Sequence, residues 1–276
     1  MAGCSMTPGR RLFPVTIVFT YFLFLLGIYT AAIGAGLTCG ARWPLCDGAV
    51  FGLFPANWTS FVEWFHRFVA LITGFMILGS WIVAWRSRVD RRALIAFTIA
   101  VLLLPPQVWL GAQTVLQYDI PTLTAHFLTP LIIFAGVLIG TSTVFRFGPL
   151  IQQYRPQLFA TSLLLFLPFV VLTPQFLIEW TGAVQVLYYG IGLTIFAVLL
   201  LIAFSGADGS VLSLRIAGSL LLILLIIQLL AGRLTHISTM HTADWLAAFV
   251  MLPLLVAVTW FAYRRERANS TFADYA

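Results

Sequence analysis

Apolar residues run unbroken along most of this chain, and polar residues are gathered between the runs. Eight apolar stretches, near 15–36, 63–85, 93–115, 123–145, 158–178, 183–204, 212–232 and 243–263, each approach the roughly 20 residues an α-helix needs to cross a bilayer. Continuous runs of this kind predict helices, because a membrane β-barrel would show alternating segments of about 10 residues. The first run follows Arg10 and Arg11 as a signal sequence would. It is longer than the roughly 7–15-residue apolar region of such a signal, and no small-residue cleavage motif stands after it, so it is expected to remain as a span.

Composition removes the alternatives. The 276 residues are 61% hydrophobic and only 9% charged, against about 25% charged in a soluble domain. A disordered chain needs the opposite balance, and three cysteines are too few for a disulfide-built secreted module. The predicted class is therefore an all-α membrane protein of eight transmembrane helices. Net charge is +6, and all 15 basic residues are arginine. They sit in short loops, which favours a topology signal over nucleic-acid binding. Arg10, Arg11, Arg86, Arg88, Arg91, Arg92, Arg146, Arg155, Arg215, Arg264, Arg265 and Arg267 fall on one side, predicting a cell-membrane protein with both termini cytoplasmic. Arg42, Arg67 and Arg233 fall on the outer side and need another reason to be there. Cys4, in the cytoplasmic tail, is assigned no role.

A weak internal repeat divides the chain. Gln107, Gly111 and Thr114 in span 3 recur as Gln228, Gly232 and Thr235 in span 7, and Thr124-Ala125-His126-Phe127-Leu128 at span 4 answers Thr242-Ala243-Asp244-Trp245-Leu246 at span 8. Two matches in the same order predict two pseudo-repeated four-helix bundles, over 1–150 and 151–276.

All four histidines, His66, His126, His236 and His241, fall near the outer ends of spans. An intramembrane histidine can be a packed, hydrogen-bonded residue, yet ionisable side chains in a bilayer are functional candidates. His66 and His126 at matching depth on two helices of one bundle suit a haem held through imidazole nitrogens. Zinc is less favoured, since two good ligands at that level fall short of the usual three or four. Glu63, three residues before His66, shares its helical face. It either faces water at the boundary, or orients the histidine and stabilises positive charge on a substrate. Arg67 either snorkels to the interface or pairs with a haem propionate. Cys39 and Cys46 lie in the long outer loop, where an oxidising compartment supports a disulfide. That bridge reads either as a structural clip or as a redox-active pair.

These residues resemble the haem A synthases. The resemblance rests on Cys39-Gly-Ala-Arg-Trp-Pro-Leu-Cys46-Asp-Gly, on Glu63-Trp64-Phe65-His66-Arg67, and on Gln107, Gly111, Thr114-Val115-Leu116, Pro121 and Thr124-Ala125-His126, so it spans about 33–145. It implies an oxidoreductase that converts a ring methyl of haem O to the formyl group of haem A for terminal oxidases. His66 and His126 would ligate the iron of the substrate haem, Glu63 would be the catalytic carboxylate, and Cys39 and Cys46 would be the family's loop cysteines. Implied partners are haem O, haem O synthase, terminal oxidase assembly factors and the lipid bilayer. The electron donor is not named, and a homo-oligomer is left open.

The second half departs from the family. Laying span 6 on span 2 puts Tyr188 at the place of His66, and laying span 8 on span 4 puts Asp244 at the place of His126. A resident haem b thereby loses both usual ligands, and His241 is the candidate substitute. The expectation is a degenerate second site, with Arg233 and Asp244 paired and Tyr188 closing over the same space. Two other readings use the first His pair: a b-type electron-transfer cytochrome, and a chaperone that binds haem O or A for oxidase assembly.

Overall fold

The computed structural model describes residues 8–40, 42, 46, 57–116, 119–173, 178–205, 212–234 and 238–273, with side chains at these positions except 8, 212, 238–241, 244 and 268–273. The described residues form ten α-helices: α1 (Pro8–Ala32), α2 (Trp58–Arg86), α3 (Arg91–Leu102), α4 (Leu104–Leu116), α5 (Ile120–Val144), α6 (Gly148–Gln153), α7 (Arg155–Val171), α8 (Gly182–Phe204), α9 (Leu212–Arg233) and α10 (Ser238–Ala273). Seven segments among them are long and apolar enough to cross a membrane, which makes this a multi-pass membrane chain. The predicted fifth span is the 17-residue α7, shorter than the other seven.

Span 3 is a broken helix rather than the single run expected. Leu103 ends α3, and Pro105 and Pro106 stand in the first turn of α4. Proline has no N–H to give to the preceding turn, so a ladder cannot run through the pair, while the first turn of a new helix tolerates it. The predicted eighth span is in turn the inner part of a much longer helix, since α10 runs for 36 residues.

The chain divides into two compact units: Met1–Phe145 with Thr181–Val186, and Arg146–Trp180 with Leu187–Ala276. In the first, α1 packs on α2 and α5, and α3 packs on the same two helices. That places α2 and α5 diagonally across a four-helix arrangement. Its core includes Phe13, Ile77, Phe97, Ile133 and Val137, and Phe13 stacks on Phe97 at 5.3 Å. The approach of α3 to α5 is set by glycine: a Cβ on Gly136 would lie 2.7 Å from the Ala96 carbonyl, and one on Gly140 2.7 Å from the Phe97 ring. Small residues one turn apart let membrane helices meet backbone to backbone. Thr16 and Ser80 join α1 to α2 through a buried hydroxyl pair at 2.9 Å.

In the second unit, α7 and α9 both pack on α10. Phe159, Phe166, Phe169, Tyr188 and Tyr189 are fully buried there.

Candidate haem site and outer loop

Two polar caps fix the height of the histidines. The Asn57 side chain accepts from the Ser60 N–H at 2.9 Å and starts α2. Asp119 accepts from the Thr122 N–H at 2.8 Å and from its hydroxyl at 3.0 Å, and starts α5. Each satisfies N–H groups that a helix start leaves open. His66 then falls about two and a half turns into α2 and His126 about two turns into α5, at 3.6 residues per turn. The two imidazoles are within electrostatic reach of each other.

Each imidazole lies against a glycine of a neighbouring helix. A Cβ on Gly27 of α1 would meet His66 Nε2 at 3.2 Å, and a Cβ on Gly111 of α4 would meet His126 Cε1 at 3.2 Å. These are seats that any larger residue would fill. Gln107, one turn before Gly111, donates from Nε2 to the His126 carbonyl at 3.3 Å and ties α4 to α5. Four residues of α3 are buried, whereas none of α4 is. The inner face of α4 beside the histidines therefore carries the seat for His126 without closing a protein core of its own.

Glu63 is 3% exposed, and its carboxylate is directed to the segment that follows α1. Oε2 accepts from the Thr38 hydroxyl at 2.9 Å and from the Cys39 N–H at 2.6 Å. Oε1 is ion-paired with Arg67 Nη2. The same Nη2 donates to the Gly40 carbonyl at 2.7 Å. Glu63 and Arg67, four residues apart on α2, thus hold the backbone of residues 38–40 from two sides. Cys39 and Cys46 form a disulfide with Cα atoms 4.5 Å apart, and both sulfurs rest 3.5 Å from the Ser60 carbonyl oxygen. The loop is fastened to the first unit, one turn from His66.

Glu63, His66 and Arg67 therefore share the N-terminal part of α2 with the cystine, and His126, in the N-terminal part of α5, is within electrostatic reach of His66. Sequence reading had not singled out Gly27, Thr38 or Ser60. A glycine inside an apolar helix was the available signal for the first; the others act through contacts that no local pattern encodes.

The second unit is built differently at the corresponding place. Tyr188 is fully buried, and a Cβ on Gly232 would meet its ring at 2.9 Å. Gly232 stands in the sequence string that matches the one holding Gly111, and here the glycine faces a tyrosine from α8 where Gly111 faces His126. Its ring stacks on Phe169 at 4.3 Å and meets Trp180 edge-on at 5.3 Å, and its hydroxyl donates to the Gln228 carbonyl at 3.1 Å. Tyr189 donates to the Leu229 carbonyl at 3.2 Å. His236 and the side chains of His241 and Asp244 lie outside the described residues, as does the expected pairing of Asp244 with Arg233. Among the described residues, no group of three or more His, Cys, Asp or Glu could hold a metal ion.

A multi-pass helical membrane chain, with a disulfide-closed loop tied to Glu63 and Arg67, is the class these features define. The chain is 33% identical to a haem A synthase of Bacillus licheniformis over 134 residues, 48% of this chain and 44% of that protein. It is 31% identical to the haem A synthase of Bacillus pumilus over 140 residues, 49% and 45% of the two chains. A protoheme IX farnesyltransferase of Halobacterium salinarum is 36% identical over 121 residues, 44% of this chain and 27% of that protein. The chain spans less than half the length of these relatives. The resemblance to the haem A synthase family is borne out over about half of the chain. No family model and no solved structure matches.

Proposed function

We propose that the chain is an oxidoreductase of the haem A synthase type, oxidising a ring methyl of haem O to the formyl group of haem A. The observation that carries this reading is the His66–His126 pair, two imidazoles within electrostatic reach on diagonal helices, each seated on a glycine. Two axial nitrogens are all that a haem asks of the protein, because the porphyrin supplies the remaining ligands. The farnesyltransferase similarity, to a protein named for protoheme, also fits a haem-type substrate.

In this reading His66 and His126 hold the substrate's iron, and the haem supplies the redox-active metal and the methyl that is oxidised. Glu63 contributes a negative charge held in place by three donors, one turn from His66. A fixed charge of that sign favours positive charge developing on the ring during oxidation, at no cost of reorganisation. Arg67 uses Nη2 for Glu63 and Gly40, leaving the rest of its planar fork for a propionate. Thr38 and Cys39 keep Glu63 in register, and Gly40 does the same for Arg67.

The same reading takes α7 as an eighth span, with four-helix halves over 1–150 and 151–276 and both arginine-rich termini in the cytoplasm. The second half is taken as a degenerate site without a resident haem b, a reading supported by the Tyr188 ring lying against Gly232. Haem O synthase would supply the substrate, and oxidase assembly factors would receive the product. The test is expression in a host that makes haem O and lacks its own synthase. Haem A should accumulate, and should fail to accumulate with His66→Ala. Haem O left unchanged by the intact chain would overturn the proposal, and haem B recovered alone would point to an electron-transfer cytochrome.

A further inference from the structure

The second unit carries a cluster of arginines that the haem reading does not use. Arg155 opens α7, Arg215 lies in the first turn of α9, and Arg265 lies in the last part of α10. Arg155 is only 5% exposed, and its Nε and Nη2 have no hydrogen-bond partner. Arg215 donates from Nε to the Ala203 carbonyl at 3.0 Å, in the last turn of α8. Beside it is a groove of about 270 Å³, lined by Ala203, Arg215, Ile216, Ser219 and Leu220. The helices that carry them meet, α7 and α9 both packing on α10, and Arg155 is within electrostatic reach of Arg265 and Arg215. Among the described residues none of the three has an acidic partner, and the nearby Glu266 is exposed and in no ion pair.

Such an arrangement is costly when empty. A buried guanidinium without partners loses its hydration with nothing in return, and two like charges beside it add repulsion. A doubly coordinating oxyanion removes both costs, because a planar fork matches phosphate oxygens two at a time. Arg155 and Arg215 stand at the starts of apolar helices and Arg265 at the end of the apolar part of α10, and basic pockets between membrane helices are suited to anionic headgroups. The groove adds apolar wall from Ile216 and Leu220 beside the charge, as an acyl chain attached to the phosphate would require.

We propose that Arg155, Arg215 and Arg265 form a binding site for a phosphate-class oxyanion, supplied by the headgroup of an anionic phospholipid. The site is independent of the haem reading.

The test uses the full chain purified in zwitterionic detergent, with melting temperature followed during titration by dioleoyl phosphatidylglycerol, by inorganic phosphate, and by chloride at matched ionic strength. Phosphatidylglycerol should raise the melting temperature saturably. Arg155→Gln should weaken its apparent affinity at least about tenfold, the scale of a lost charge-assisted hydrogen bond. Arg265→Gln, at a half-buried position, should do the same and serves if the Arg155 variant does not fold. Arg264→Gln should keep the response, since that guanidinium stacks on Trp260 at 4.1 Å. A response to inorganic phosphate without one to the lipid would support the oxyanion site and assign it to a soluble source. A response no larger than that to chloride, or one unchanged in Arg155→Gln and Arg265→Gln, would overturn the proposal.

Discussion

Gly27 of α1 and His66 of α2 are in contact, close enough that a single added carbon on the glycine would lie 3.2 Å from the imidazole Nε2. A hydrogen in place of a methyl therefore decides where this nitrogen sits. Gly27→Ala should leave the helix intact, because alanine is favoured over glycine in a helix by about 0.5–1 kcal/mol. The variant should melt near the wild-type temperature while the absorption of haem bound through His66 falls about tenfold. An unchanged haem spectrum would show that His66 does not hold the iron from this seat.

Glu63 and Arg67 form a partly buried ion pair that also fastens the backbone at Cys39 and Gly40. Glu63→Ala strands the Cys39 N–H and the Arg67 guanidinium together, and should cost about 3 kcal/mol or more of stability. Glu63→Gln keeps the shape and one acceptor, and should cost about half as much. Thermal unfolding in detergent measures both, and limited proteolysis between Thr38 and Asn57 should accelerate in the alanine variant first.

The disulfide closes a short loop, for which chain entropy gives about 2–3 kcal/mol. Replacing Cys39 and Cys46 together with serine should lower stability by that amount and leave turnover per folded molecule unchanged, as a structural clip requires. Loss of turnover in a fully folded double variant would make the pair a participant in electron transfer.

The filled second unit predicts one haem per chain. Pyridine haemochrome analysis against protein concentration should give a ratio near one. The haem should be lost in His66→Ala or His126→Ala and retained in His241→Ala. Tyr188→Phe removes only the hydroxyl that reaches the Gln228 carbonyl, and should cost about 1 kcal/mol without changing the ratio. Two haems per chain, one of them lost in His241→Ala, would show that the second unit is a working site.

The amino-acid sequence by itself determined the membrane class, the positions of most spans and the residues worth testing. Those follow from composition and from the length of apolar runs, which depend on a bilayer's thickness and on nothing else in the fold. It also raises the expectation of unlike halves, because Tyr188 and Asp244 stand where the resemblance would place histidines. The broken third span was written in Pro105 and Pro106, although a long apolar run hides it. Only the tertiary structure decided that Glu63 is tied to the backbone of the cysteine loop, that His66 and His126 rest on Gly27 and Gly111, that Tyr188 rests on Gly232, and that Arg155 is buried among arginines. Each of these joins residues far apart in the chain, and hydropathy cannot tell which face of an all-apolar helix meets which neighbour. That choice is made by the close approach of backbones at glycine and by the need of every buried polar group for a partner.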